Sequence, residues 1–222
     1  IEAKDGGLAV NCTYHENVLN LKKMARQAGA NIIKIIQHKT PDKWSSCHRL
    51  KAKIYKVTNP KLHETKIEWS LERKLTWEDF KGVPNLNENP DTLALTSSGF
   101  GYETGVGMFK KGEIFVQSVF DTNQSWFVPE GETDYVLRHE QIHFDITEIF
   151  SRKLRKELVE AKVTSTNFIT AKPIFDRVFN EMRNRQKRYD QETVRGEKKE
   201  TQEYWEAIIE LELAKYEFYK SN

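Results

Sequence analysis

His139-Glu140-Gln141-Ile142-His143 carries more chemistry for its length than any other segment of the chain. On a helix, residues four apart return to one face, so both imidazoles point the same way and can share a tetrahedral zinc. Glu140, one position on, is rotated by about 100° from His139 yet stays close enough to reach a water held by that metal. Zinc lowers the pKa of such a water towards about 7, and a carboxylate then takes its proton as the oxygen attacks a polarised carbonyl. The spacing names His139 and His143 as metal ligands and Glu140 as general base. The competing structural reading is a helix whose histidines hydrogen-bond in a core. Two histidines and a carboxylate along an apolar stripe are costly there unless paired or metal-bound.

A zinc site of this kind needs a third protein ligand and an open position. The helix that carries the histidines is capped by Thr133 and runs to about Ala161, with Val136, Ile142, Ile146, Ile149, Phe150, Leu154 and Leu158 as its apolar set. Pro173 suits the first turn of a second helix, which runs to about Thr193 before Gly196. If that helix returns antiparallel, Arg188–Gly196 comes back beside the histidines. Within it, Asp190 or Glu192 can supply a carboxylate ligand. Tyr189 and Arg195 are candidates for stabilising an oxyanion, and Arg195 also for gripping a substrate carboxylate; arginine itself stays protonated and cannot ligate zinc. Taken alone, the segment also reads as an ordinary polar helix end. A third helix spans about Glu200–Tyr219, with Trp205, Ile208, Ile209, Leu213 and Tyr216 inward.

The upstream elements must hold this pair of helices. Strands are expected at Ile67–Leu71, Thr92–Thr104, Glu113–Asp121 and Ser125–Val128, with a capped turn at Thr76–Phe80. Gly112–Phe120 is expected as an edge strand that holds an extended substrate by strand addition. Gly99, Gly101, Gly105 and Gly107 do not lead from a strand into a helix, so they are bends rather than a phosphate cradle. Before a linker at Asn59-Pro60, the pattern is βαββ: strand Leu8–Cys12, helix from about Glu16 to Ala28, strands Ile32–Gln37 and Leu50–Val57. Cys12 and Cys47 admit a disulfide, two buried thiols, or a metal site with His15 and His48.

The chain has 222 residues, 35 Lys+Arg and 33 Asp+Glu, a balance that argues against a dedicated nucleic-acid binder. Residues 1–65 hold 12 of the cations and 5 of the anions, so a basic first module precedes an acidic remainder. That module is a solvated face or a surface for anionic envelope material. No apolar run approaches the roughly 18 residues of a membrane span. Because the sequence starts at Ile1 rather than Met, a processed N-terminus is expected.

Arg138–Ile146, followed by Tyr189-Asp190-x-x-Thr193-x-Arg195-Gly196 and then Gln202, resembles the bacterial zincin-like family called domain of unknown function 922. Trp69, Trp77 and Ser97-Ser98-Gly99 are similar to its upstream part, so the resemblance covers about Lys66–Glu212. It implies an extracytoplasmic zinc metallopeptidase domain (periplasmic, lipoprotein or secreted) acting on a peptide or protein substrate. His139 and His143 would be ligands and Glu140 the base. The family's second motif has histidine where this chain has Arg195, which implies either a carboxylate substitute or a catalytically degenerate binding protein that keeps the fold. The expected architecture is α+β: a βαββ module over residues 1–60, then a zincin-like domain over 61–222 with a short twisted antiparallel sheet and three long helices.

Overall fold

The computed structural model describes residues 1–3, 12–45, 47–87, 90–104, 114–164 and 167–221. The architecture is α+β, with four helices and small antiparallel sheets among the described residues. The chain divides into two compact units. One comprises Ile1–His63, Tyr102–Phe115 and Ala161–Ala171; the other comprises Glu64–Gly101, Val116–Glu160 and Lys172–Asn222.

In the first unit, α1 (Tyr14–Gln27) starts two residues before the apolar spacing implies. The reason is a capping box. Thr13 Oγ1 accepts from Glu16 N at 3.1 Å, and Thr13 N donates to the Glu16 carboxylate at 2.9 Å. Leu21 of α1 packs with Ala3, Leu50 and Ala52 of a three-stranded sheet in the order β1 (Glu2–Ala3), β3 (Arg49–Tyr55), β2 (Ile32–Lys39). In β3, Leu50 and Ala52 are buried while Lys51 and Lys53 are exposed, the period-two pattern of a half-buried strand. Cys12 and Cys47 are joined by a disulfide, with Cα atoms 5.0 Å apart. The expected strand at Leu8–Cys12 lies outside the described residues except for Cys12, as do Gly105, Gly107, Gly112 and Glu113.

The second unit corrects two expectations. β7 (Ile114–Asp121) is not an edge strand: it lies between β4 (Lys66–Glu68) and β6 (Ser98–Thr104), so both its sides already have partners. Its inward residues Val116, Ser118 and Phe120 alternate with half-buried ones, and Phe120 joins Ile67, Leu75, Phe80 and Phe144 in the core. The continuous strand expected at Thr92–Thr104 is instead two. β5 (Ala94–Leu95) pairs with β8 (Trp126–Phe127), and β6 begins after a break. At the break, Thr96 Oγ1 donates to the Glu140 carbonyl at 3.2 Å and Ser97 N donates to Ser125 Oγ at 2.9 Å. Side-chain bonds there replace the ladder and tie this segment to the histidine helix.

Three long helices complete the unit. α2 (Asp134–Glu160) is started by Thr133, whose hydroxyl accepts from Val136 N at 3.2 Å. α3 spans Ala171–Thr193 and α4 Lys199–Lys215, with Trp205 and Ile209 of α4 buried. No helix among the described residues is long and apolar enough to cross a membrane.

Candidate metal centre

The spacing of α2 does what helical geometry requires of it: His139 and His143 lie on one face, with Nε2 atoms 3.2 Å apart. The C-terminal turns of α3 bring a third donor. Asp190 Oδ1 lies 2.9 Å from His143 Nε2 and 3.3 Å from His139 Nε2. Tetrahedral zinc with bonds of about 2.0–2.1 Å separates its ligands by roughly 3.3 Å, so three donor atoms at these spacings fit the corners of one such site. Among the described residues, His139, His143 and Asp190 form a group of side chains that could hold a metal ion.

The proton on His143 can be placed from its neighbours. Gln186 Nε2 donates to the His143 carbonyl at 2.8 Å and to Thr147 Oγ1 at 3.2 Å, which leaves Gln186 Oε1 facing His143 Nδ1 at 2.5 Å. Nδ1 must therefore carry hydrogen, and the neutral ring presents a bare Nε2 to Asp190 and His139. The lone pair of His143 Nε2 then confronts a carboxylate, an arrangement that a cation relieves. In the metal-free site that cation is a proton. Burial works to lower the His143 pKa, but the hydrogen bond and charge of Asp190, with Glu140 and Gln186, push it up to about 9. Asp190 responds in the opposite sense: burial works to raise its carboxyl, and the two histidines hold it well below the usual carboxylate range.

These donors line a cleft of about 1240 Å³ together with Glu140, the Asp91–Ser98 segment, Gln186 and Arg195. Glu140 is 3% exposed, and its Oε2 has no hydrogen-bond partner among the described residues. Glu192 is not brought to the donors. Its oxygens accept from Arg188 Nε at 2.6 Å and Trp205 Nε1 at 2.9 Å, because it lies two residues beyond Asp190 and so about 200° around α3. Tyr189 is fully buried behind the site rather than on the cleft wall, with its ring stacked on His139 at 4.5 Å. Burial, and then the Glu140 charge, hold its hydroxyl in the neutral form, and its ring backs the His139 imidazole.

After α3 the backbone turns left-handed three times running, at Val194 (φ 52°), Arg195 (φ 54°) and Gly196 (φ 90°). Arg195 N donates to the Asp190 carbonyl at 2.8 Å and Lys198 N to the Thr193 carbonyl at 3.0 Å. Gly196 is required here, since a Cβ would lie 3.3 Å from Cγ and Nδ1 of His139. The same position would be 3.5 Å from Gln202 Oε1. His139 Nδ1 and Gln202 Oε1 are both buried without a partner among the described residues, a donor and an acceptor facing one space. Sequence reasoning passed over Gln186, although its place one turn before Asp190 on α3 puts it on the ligand face.

Searches of curated proteins and of solved structures find no match. Residues 120–197, which hold both histidines, Glu140 and Asp190, match the family described as bacterial protein of unknown function (DUF922).

Proposed function

We propose that the second unit is a zinc-dependent hydrolase that cleaves peptide bonds, with His139, His143 and Asp190 holding the metal. The carrying observation is the convergence of three N and O donors at 2.9–3.3 Å beside a buried carboxylate oxygen that has no partner among the described residues. A two-nitrogen, one-oxygen set of this size suits zinc better than calcium or magnesium, which take six or more oxygens. Once bound, the metal supplies Lewis acidity for water and for the scissile carbonyl.

The chain's own groups account for the rest. Glu140 takes a proton from the attacking water and returns it to the leaving amine. Gln186 fixes His143 as a ligand through Nε2. β5, which among the described residues has β8 on one side only, lies in the segment lining the cleft and offers its other edge to an extended peptide. The disulfide supports an extracytoplasmic, oxidising setting, and the basic first unit supports association with anionic envelope material. The rival reading is a binding protein that keeps this site without turnover. Arg195, where the related motif has histidine, favours it.

Metal analysis and hydrolysis of a fluorogenic peptide separate the readings. One zinc per chain is expected, lost in His143→Ala. Glu140→Gln is expected to retain zinc while turnover falls about 10²–10⁴-fold. Equal turnover by Glu140→Gln and the parent protein would remove the mechanism; stoichiometric zinc with no turnover would select the binding protein.

A further inference from the structure

Arginines in and after α3 are mostly paired. Arg177 meets Glu157 and Glu181, Arg185 meets Glu212, and Arg188 meets Glu192, all within 3.1 Å. Arg183 and Arg195 are the exceptions: among the described residues neither has a carboxylate within 4.0 Å. Both are exposed, and both line the cleft that holds the metal donors. Asp91 and Glu197 share that cleft without reaching either guanidinium.

The backbone beneath Arg195 adds a second observation. Val194 and Arg195 adopt left-handed φ values that non-glycine residues rarely take. A β-branched residue there is an outlier, and such strain concentrates where a side chain must be presented. Here the turn carries Arg195 to the cleft wall directly before Gly196, which lies against the His139 ring. Arg183 stands on the ligand face of α3, seven residues before Asp190. That is about 10 Å along the axis, or roughly three residues of an extended peptide.

We infer that Arg183 and Arg195 bind substrate carboxylates, so that the cleft selects acidic peptides; this rests on the hydrolytic reading above. Guanidinium forks match carboxylates in bidentate fashion, which suits them to this task. Arg195 reads a carboxylate next to the scissile bond, and Arg183 reads one about three residues away. The carboxylate comes either from an Asp or Glu side chain or from a free C-terminus.

The test uses amidated alanine-rich fluorogenic peptides carrying Glu or Gln at each of three positions either side of the scissile bond. A second arm compares free and amidated C-termini of the all-alanine peptide. Zinc-loaded protein is expected to prefer Glu to Gln, or the free to the amidated end, by tenfold or more in kcat/KM. Arg195→Gln should abolish the preference at the near position and Arg183→Gln at the distant one, with Arg→Lys variants intermediate. Equal kcat/KM for all peptides, or a preference that survives both Gln variants, overturns the inference while leaving hydrolysis intact. Calorimetric binding of the same peptides to zinc-loaded Glu140→Gln protein reads the site without turnover. Tighter binding of the acidic peptide, lost in the arginine variants, upholds the carboxylate site even if the parent hydrolyses nothing.

Discussion

α2 carries two clusters of buried polar side chains, and they are finished differently. Five residues past His143, Glu148 Oε1 accepts from Arg152 Nε at 2.9 Å and from Arg155 Nη1 at 3.3 Å, while Ser118 Oγ donates to Oε2. Arg152 also donates to the Leu213 carbonyl and to Glu217, and Arg155 to the carbonyls of Val116 and Tyr219. None of these three residues has a buried polar atom without a partner. Around the histidines, His139 Nδ1, Glu140 Oε2, the Tyr189 hydroxyl and Gln202 Oε1 all lack one among the described residues. Burial of charge is tolerated when every group is satisfied within the protein. The first cluster is closed and structural. The second leaves buried polar atoms open beside three side chains that could hold a metal ion, the feature on which the proposed site rests.

The sharpest way to break this contrast is to open the closed cluster. Arg152→Ala leaves Glu148 buried with one guanidinium fewer and is expected to destabilise the protein by about 3–5 kcal/mol in urea or thermal melts. Its stabilisation by added zinc should match that of the parent protein, because none of Arg152's polar partners belongs to the metal site and effects at independent sites add. A loss below about 1 kcal/mol would mean that closure of the cluster contributes little, and the distinction between the two clusters would fail.

The open cluster was far more legible in the sequence than the closed one. Helical period fixes the common face of His139 and His143, and equal lengths of antiparallel helix put Asp190 within range of them. Glu192 shows the limit of that argument, since two residues of rotation send it to Arg188 and Trp205. No motif or spacing singles out Glu148, Arg152 and Arg155. Their partners come from β7 and the chain end, pairings that no local pattern reveals. The same holds for β7: its alternation marks a strand but cannot say whether it lies at the edge or in the middle of a sheet. The break between β5 and β6 was equally hidden, because it depends on Thr96 and Ser97 finding Glu140 and Ser125.

A second closed pair sharpens the comparison through pH. Asp79 accepts from both Arg73 Nη atoms at 2.7 and 3.0 Å and from Thr76 N at 2.7 Å. Burial works to raise its carboxyl, but Arg73 and Thr76 outweigh it and hold the pKa below the ordinary value. A depressed folded-state pKa gives stability that is present above the unfolded value of about 3.9 and is lost as pH falls through the folded one. Asp79→Asn should therefore cost about 2–3 kcal/mol at pH 7, with the gap to the parent narrowing as pH drops below about 4. A gap that is the same at pH 7 and pH 3 would show that the carboxylate charge contributes nothing.

The smallest effect concerns the boundary between protein-satisfied and metal-completed groups. A neutral His139 that ligates through Nε2 carries hydrogen on Nδ1, and that hydrogen needs an acceptor. Gln202 is fully buried, and its Nε2 donates to the Tyr135 carbonyl at 3.3 Å, which aims Oε1 towards the space beside Gly196 that Nδ1 also faces. The two atoms can meet directly or through one water. Gln202→Leu keeps the volume and removes the acceptor. Zinc affinity measured by chelator competition should fall about 10–100-fold, equivalent to about 1.4–2.7 kcal/mol, while unfolding of the metal-free protein moves much less. The ¹⁵N resonances of His139 in the zinc-loaded protein supply the independent readout. They should report hydrogen fixed on Nδ1 in the parent and a weakened bond in the variant. If affinity and resonances both stay as in the parent, Gln202 is core filling and His139 is held by its stack on Tyr189 alone.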